Sequence, residues 1–264
     1  MTFDSSVVPN AARIYDFFLG GKDHFAADRE AAQKMLAALP GTADACQGNR
    51  EFLQRSVRFL AGEAGIRQYL DIGTGLPTMG NVHEAAQEIS PDARVAYVDY
   101  DPVVLSHARA MLATSPNVNV IEGDVRSPEP ILADASLREL INFRQPVALL
   151  LLAVLHFVAD SERPHEVVRS LVDALPSGSY LVLTHGTSDD VPDKVTEAMI
   201  GAYANASAQV TPRSFKDVSE FFDGLELVDP GVVNVTHWRP DLLPSRPSNA
   251  MGRSLVYGGV AVKP

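Results

Sequence analysis

The sequence predicts an α/β fold built on a mostly parallel sheet, and three observations carry that expectation. Between Gln68 and Thr184, short apolar segments alternate with segments of helical period, the order expected of parallel strands covered by helices on both faces. The most apolar run, Val147 to Val158, is about half the length that a bilayer requires, so it reads as a strand buried on both faces. The first strand runs straight into the turn Gly73-Thr74-Gly75, and the ligand crevice of open α/β sheets lies at such carboxyl ends.

The chain opens with helices. Asn10 is placed to cap a helix from Ala11 to Leu19, which Gly20-Gly21 stops. Asp23 is placed to cap a second, from His24 to Leu39, closed by Pro40-Gly41. A third spans Gln47 to Ala64 with Phe52, Val57, Phe59 and Leu60 inward, and Gly65 ends it. The pattern then changes. Strands are expected at Gln68–Ile72, Arg94–Val98, Val118–Ile121, Val147–Ala153 and Tyr180–Thr184. Helices are expected at Asn81–Ile89, Val103–Leu112 (Pro102 suits its first position) and Glu162–Leu175. In the tail, Asp190–Ala206 and Ser214–Phe221 read as helices. Leu225–Val228 and Ser254–Val262 read as strands, the latter an antiparallel addition around Gly258-Gly259, and Arg239–Arg253 reads as a surface loop. Two parts of one domain follow: an N-terminal helical lid over residues 1–65 and a sheet domain over 66–264.

Composition narrows the function. With 46% apolar and 21% charged residues, the chain of 264 is globular rather than disordered. A net charge of -11 argues against general nucleic-acid binding, which needs clustered Lys and Arg. Cys46 is the single cysteine, which rules out an internal disulfide and a cysteine-rich metal site and fits a cytoplasmic location. His83-Glu84 lacks a second histidine at metal-binding spacing, so no metal is expected. Met1–Asn10 carries no signal-like pattern, and no membrane association is expected.

Chemistry concentrates at strand ends. Asp71 precedes the glycine turn, and a carboxylate there suits the ammonium of an amino acid and opposes a pyrophosphate. The glycines Gly73, Gly75 and Gly80 also fail the spacing of a dinucleotide fingerprint. Asp99 ends the next strand, placed to accept ribose hydroxyls, while Asp101 is placed to cap the following helix. Asp124, in Gly123-Asp124-Val125 after the third strand, is placed to accept an adenine amino group. A fourth signal, Ala153 to Phe157, follows the fourth strand.

Taken in order, these signals resemble class I methyltransferases over roughly Gln68 to Thr184. The whole chain is similar to an actinobacterial S-adenosyl methyltransferase family once catalogued as a domain of unknown function. The likeness lies in Ala12 to Asp23, in Asn49-Arg50, in Asp71 to Asn81 and in Val147 to Val158. It extends to Leu175 to Tyr180 and to Phe221 to Leu225. The resemblance implies a Rossmann-like, seven-stranded sheet with an antiparallel C-terminal strand, and S-adenosylmethionine as cofactor with S-adenosylhomocysteine as product. The cofactor set it implies is Asp71, Gly73, Thr74, Gly75, Asn81, Asp99, Tyr100, Asp101, Asp124, Val125, Ala153, Val154 and His156, with Arg50 from the lid.

Methyl transfer from a sulfonium rests largely on positioning, so one general base suffices for an oxygen or nitrogen acceptor. His156 is the leading candidate, with His24 and Tyr15 on the lid and His185 after the fifth strand behind it; Lys22 is a further polar lid residue. Leu19 to Phe25 does not fit a phosphate loop, because the Walker spacing fails. The expected activity is methylation of a small-molecule acceptor by a monomer or homodimer. Other chemistry on the same cofactor, a non-catalytic sensor of it, and a nicotinamide oxidoreductase are the alternatives; the glycine spacing disfavours the last.

Overall fold

The structure is a computed structural model that describes residues 7–77, 80–112, 115–189, 191–204, 206–242 and 255–264. Among these residues an eight-stranded sheet forms the centre. Strands β1 (Gln68–Ile72), β2 (Arg94–Asp99), β3 (Val118–Glu122), β4 (Ala148–Leu152) and β5 (Tyr180–Gly186) are parallel. Then come β6 (Glu226–Leu227), β7 (Val233–Asn234) and β8 (Val256–Val262), with β8 antiparallel to β5 over seven residue pairs. The order is β3-β2-β1-β4-β5-β8-β6, with β7 also on β8. The chain therefore steps outward from β1 to β3 and returns to β4 on the other side of β1. That reversal is the topological switch point.

Alternation within single strands explains the double-sided core. In β4, Leu149 and Leu151 enter one apolar cluster, while Ala148, Leu150 and Leu152 enter the other. Every residue of β1 and β4 is buried, as a strand covered on both faces requires. Gly258 and Gly259 interrupt β8 for reasons of space. A Cβ on Gly258 would lie 2.8 Å from Thr184 Cγ2, and one on Gly259 would lie 3.1 Å from the Phe222 ring.

The helices are α1 (Ala11–Phe18), α2 (Ala26–Ala38), α3 (Thr42–Gly62), α4 (Val82–Ile89), α5 (Pro102–Met111), α6 (Pro128–Ala133), α7 (Ala135–Leu140), α8 (Pro164–Asp173), α9 (Asp193–Ala202) and α10 (Phe215–Glu220). Asn10 and Asp101 cap α1 and α5 as the sequence indicates, accepting from the backbone N–H of Arg13 and of Val103 and Val104. Asp23 does not cap α2. That helix begins later, with Phe25 at its cap position, and the Asp28 carboxylate receives the Phe25 N–H at 2.7 Å. The Asp23 N–H instead donates to Asp16, whose buried carboxylate occupies the space beside Gly21 that a Cβ would need. Helix α3 starts at Thr42 rather than Gln47, with Asp44 in its first turn, where a carboxylate complements the helix dipole.

Further differences lie in the tail. Eight strands replace the expected seven because the two-residue β7 carries too little pattern to read. The strand expected at Leu225–Val228 shrinks to Glu226–Leu227. Helix α9 begins after Pro192, which cannot supply an interior helical N–H. Helices α6 and α7, one turn and a half each, were not expected. Most of the expected loop at 239–253 lies outside the described residues, and 240–242 forms a short 3-10 turn.

The N-terminal helices divide by packing. Helices α1 and α2 form a small apolar cluster with α9, through Ile14, Phe18, Ala32, Met35, Met199 and Tyr203. Helix α3 instead contributes Phe52, Val57, Phe59 and Leu60 to the core of the sheet. Its fully buried Arg55 donates to the carbonyls of Trp238 and Val235 at 2.8 and 2.6 Å. A buried ion pair joins α1 to α2: Arg13 Nε lies 2.7 Å from Asp28 Oδ2, and both side chains are almost fully enclosed. Asp28 also accepts from the Asn10 N–H at 2.8 Å. Removing one partner would strand the other's charge, so Arg13→Met should destabilise the protein by about 3–5 kcal/mol. Urea denaturation of the variant against the parent measures this, and a change below about 1 kcal/mol would show that the pair is dispensable.

Candidate functional site

A cleft of about 1140 Å³, its open mouth included, lies at the carboxyl ends of β1 to β4. Its wall contains Asp71 near the end of β1 with Gly73, Thr74 and Gly75 in the turn that follows, Asp99 at the end of β2 with Tyr100 and Asp101 after it, Asp124 and Val125 after β3, and Ala153 and Val154 after β4. The N-terminal segment adds Asn10, Tyr15, Asn49 and Arg50, and Ser207 joins them from the chain after α9.

The turn after β1 is held on three sides. Gly73 has φ +78°, and a Cβ there would lie 2.4 Å from Val154 Cγ2, so both conformation and space require glycine. The N–H groups of Gly73 and Thr74 donate to Val98 O at 2.8 and 3.2 Å. The Gly75 N–H donates to Asp99 Oδ2 at 2.9 Å, while Asp99 Oδ1 accepts from the Asp101 N–H at 3.0 Å. One carboxylate thus fixes the turn after β1 and the start of α5. Asp101 caps α5 with one oxygen and accepts from Asn10 Nδ2 with the other. On the β4 side Ala153 takes φ +52°, a left-handed conformation that is costly for a residue with a Cβ. Its N–H is secured by Thr184 Oγ1 at 2.9 Å.

The carboxylates differ in environment. Burial pushes Asp71 up to about 7, against the opposing field of Arg50, while the charge of Asp99 adds to the rise. Burial also raises Asp99, although hydrogen bonds from the backbone of Asp101 and Gly75 limit the shift. Asp124 goes the other way. Burial would raise it, but Arg126, with Nη2 at 2.6 Å and Nε at 2.8 Å, more than offsets that. The Arg126 guanidinium also sits over the Tyr100 ring at 5.4 Å.

The residues expected from the sequence do not all meet at the wall. Asn81 stands behind it, accepting from Arg50 Nη2 at 3.1 Å and so orienting that guanidinium. Of the three catalytic candidates, Tyr15 lines the cleft. Its hydroxyl donates to Cys46 O at 3.0 Å and accepts from Asn49 Nδ2 at 2.9 Å, and burial raises its pKa. His156 is not among the lining residues, although its neighbours Val154, Phe157 and Val158 are. Its Nδ1 accepts from the Gly186 N–H at 3.3 Å, and burial, helped by His185 and Arg213, brings it down to about 3. His24 lies off the wall, with Nε2 against Gly21 O at 3.1 Å. His185 backs the same loop: its Nε2 meets Arg213 at 2.8 Å, and Arg213 also donates to the carbonyls of Leu155 and Val158. Lys22 does not line the cleft.

Sequence reasoning did not single out Asn10 as a wall residue, nor Asn49, Arg126 or Ser207. Asn49 had a signal in its place beside Arg50. Ser207 had none, because only folding brings it to Asn10, with Asn10 Nδ2 3.3 Å from its hydroxyl. Among the described residues no group of three His, Cys, Asp or Glu side chains could hold a metal ion. No helix there is long and apolar enough to cross a membrane.

A family model described as S-adenosyl methyltransferase matches residues 2–264. A DUF574 family protein of Streptomyces avermitilis is similar at 40% identity and a TM-score of 0.90, over 98% of this chain and 99% of that one. A Thermobifida fusca protein, described as a candidate methyltransferase, is similar at 43% identity and a TM-score of 0.90, over 98% of this chain and 96% of that one. Human N-acetylserotonin methyltransferase shares the fold alone, at 13% identity and a TM-score of 0.50, over 97% of this chain and 63% of that one. No curated protein matches the sequence.

The position of Asp71 gives a direct prediction. In the ligand-free protein its carboxyl should titrate near pH 7 rather than near 4. Carboxyl-carbon NMR, with Asp71→Asn to assign the signal, measures the midpoint, and an ordinary midpoint would mean that water reaches the carboxylate.

Proposed function

Because this chain belongs to the S-adenosyl methyltransferase family, we propose that the cleft holds S-adenosylmethionine along the strand ends and serves methylation of a small acceptor at oxygen or nitrogen. The observation that carries the reading is the set of three carboxylates at the ends of β1, β2 and β3, all lining one cleft. Asp71 accepts from the amino-acid ammonium, Asp99 from the ribose hydroxyls and Asp124 from the adenine amine. Thr74 and Gly75 shape the turn, Tyr100 and Val125 flank the base, and Ala153 and Val154 flank the reactive end. Arg50, oriented by Asn81, serves the carboxylate end.

Two features support the fit. Gly75 presents a bare backbone at the cleft wall, with nothing nearer than the Ala12 methyl at 4.0 Å from where a side chain would start, which suits a backbone that a ligand must approach. The cleft also runs past the ends of β1, β2, β3 and β4, so one extended ligand can meet all three carboxylates. When bound, the cofactor supplies an activated methyl group. The chain's own contribution is then to orient the partners and exclude water. Tyr15, with its raised pKa, is a neutral phenol that orients rather than deprotonates. His156, held against Gly186 behind the wall, supports the loop that carries Val154 and Phe157. The net charge of -11 favours a small acceptor over a nucleic acid. We propose a cytoplasmic monomer or homodimer.

Isothermal titration of stripped protein with S-adenosylmethionine and S-adenosylhomocysteine tests this. Micromolar binding of both is expected, and binding of neither by folded protein overturns the proposal. Asp99→Ala should weaken S-adenosylhomocysteine by roughly 1.5–3 kcal/mol, the scale of hydrogen bonds to a charged group; unchanged affinity would remove Asp99 from the site. Asp71 is largely protonated below its midpoint near 7 and ionised opposite a bound ammonium. Binding near pH 6 should therefore release close to one proton, and the release should shrink as pH rises through 7. Titration in buffers of different ionisation enthalpy reads this directly, and release that persists in Asp71→Asn would assign the proton elsewhere.

A further inference from the structure

Asp124 and Arg126 both line the cleft, in the turn after β3. Their contact is more extensive than a single ion pair. Asp124 Oδ1 accepts from the Arg126 backbone N–H at 3.0 Å and from its Nε at 2.8 Å. Oδ2 accepts from the same Nε at 3.0 Å and from Nη2 at 2.6 Å. A carboxylate offers about four lone-pair sites, so Arg126 alone engages all that Asp124 has. An amine that reaches this carboxylate must therefore displace part of the guanidinium.

The displaced group has a second partner at hand. Arg126 Nη1 already lies 3.4 Å from Glu162 Oε1, on the segment after β4. Glu162 is held in place there, because its Oε2 accepts from the Ala159 N–H at 2.8 Å. A small swing of the Arg126 side chain thus exchanges one carboxylate for another and leaves the guanidinium paired. The Asp124 and Arg126 side chains are 30% and 38% exposed, and an ion pair in that setting is weak enough for a ligand to part.

We infer that Arg126 is a specificity-determining residue: its guanidinium competes with the adenine amine for Asp124, and the amine binds by moving it toward Glu162. The inference rests on the S-adenosylmethionine reading above, in which Asp124 accepts from that amine. It adds a competitor built into the chain, which loosens the hold on every adenosyl ligand and tempers the preference for a base that carries an amine.

The test compares S-adenosylhomocysteine with S-inosylhomocysteine, which carries a carbonyl oxygen in place of the adenine amine. Calorimetry measures both ligands on the parent, on Arg126→Met and on Asp124→Ala. Arg126→Met should bind S-adenosylhomocysteine about threefold more tightly, the scale of one exposed ion pair, and S-inosylhomocysteine no more tightly than the parent does. No gain for S-adenosylhomocysteine, or an equal gain for both ligands, overturns the role of Arg126 while Asp124→Ala still weakens S-adenosylhomocysteine. Unchanged affinity in Asp124→Ala overturns the adenine contact of Asp124, and the inference with it. A parent protein that binds neither ligand overturns the cofactor reading itself. Should Arg126→Met fail to fold, Arg126→Lys, which keeps the charge without the planar fork, should show a gain of the same sign.

Discussion

Strand β1 hydrogen-bonds to β2 on one side and β4 on the other, and it ends where those neighbours send their chains in opposite directions. A strand enclosed this way must end in a turn that crosses the mouth of the crevice. The turn in turn needs conformations and clearances that Gly73 and Gly75 supply. The constraint reaches outward from there. The Gly73 N–H is tied to β2, the missing Gly73 side chain admits Val154 from the β4 loop, and Asp99 ties the turn to α5. The same enclosure strips water from Asp71, which leaves a carboxyl at the centre of the cleft whose charge depends on what sits opposite it.

The N-terminal helices complete this arrangement through polar contacts as well as apolar packing. The ion pair of Arg13 and Asp28 fixes α1 against α2, and Asn10 fixes the start of α1 to Asp101 on the sheet. Helix α3 is of another kind. It belongs to the core of the sheet by packing, yet it presents Asn49 and Arg50 to the cleft. A rigid element buried on one face therefore delivers Asn49 and Arg50 to the cleft wall, whereas the more peripheral α1 delivers Tyr15.

Much of this was legible in the sequence, for identifiable reasons. Parallel strands covered on both faces leave long apolar runs, and glycine or aspartate marks where several of them turn, so β1 to β5, and the carboxylates at the ends of β1, β2 and β3, could be located from pattern alone. Capping is local chemistry, which is why Asn10 and Asp101 read correctly. The same logic failed at Asp23, because Asp28 competed for the start of α2 and a tertiary ion pair decided the outcome. Two-residue strands such as β7 have no period to detect. Ser207 joined the wall through contacts between distant segments, which sequence spacing does not encode, while Arg126 came with Asp124, its partner two residues earlier. His156 shows a different limit: strand-end position located the residue correctly, but the direction of its ring depended on the Gly186 N–H across the sheet.

The contacts around Asn10 have a kinetic consequence. Its side chain reaches both Asp101 and Ser207, the Ala11 N–H lies 3.4 Å from the same serine hydroxyl, and the Ser207 N–H donates to Pro9 O at 2.8 Å. Three distant stretches of the chain are thus stitched together along one side of the cleft, by bonds that water can replace when they part. Each bond is weak alone, and together they act as a latch. Parting the seam requires several of these bonds to open together, so this side of the cleft should open less often than any one of them breaks.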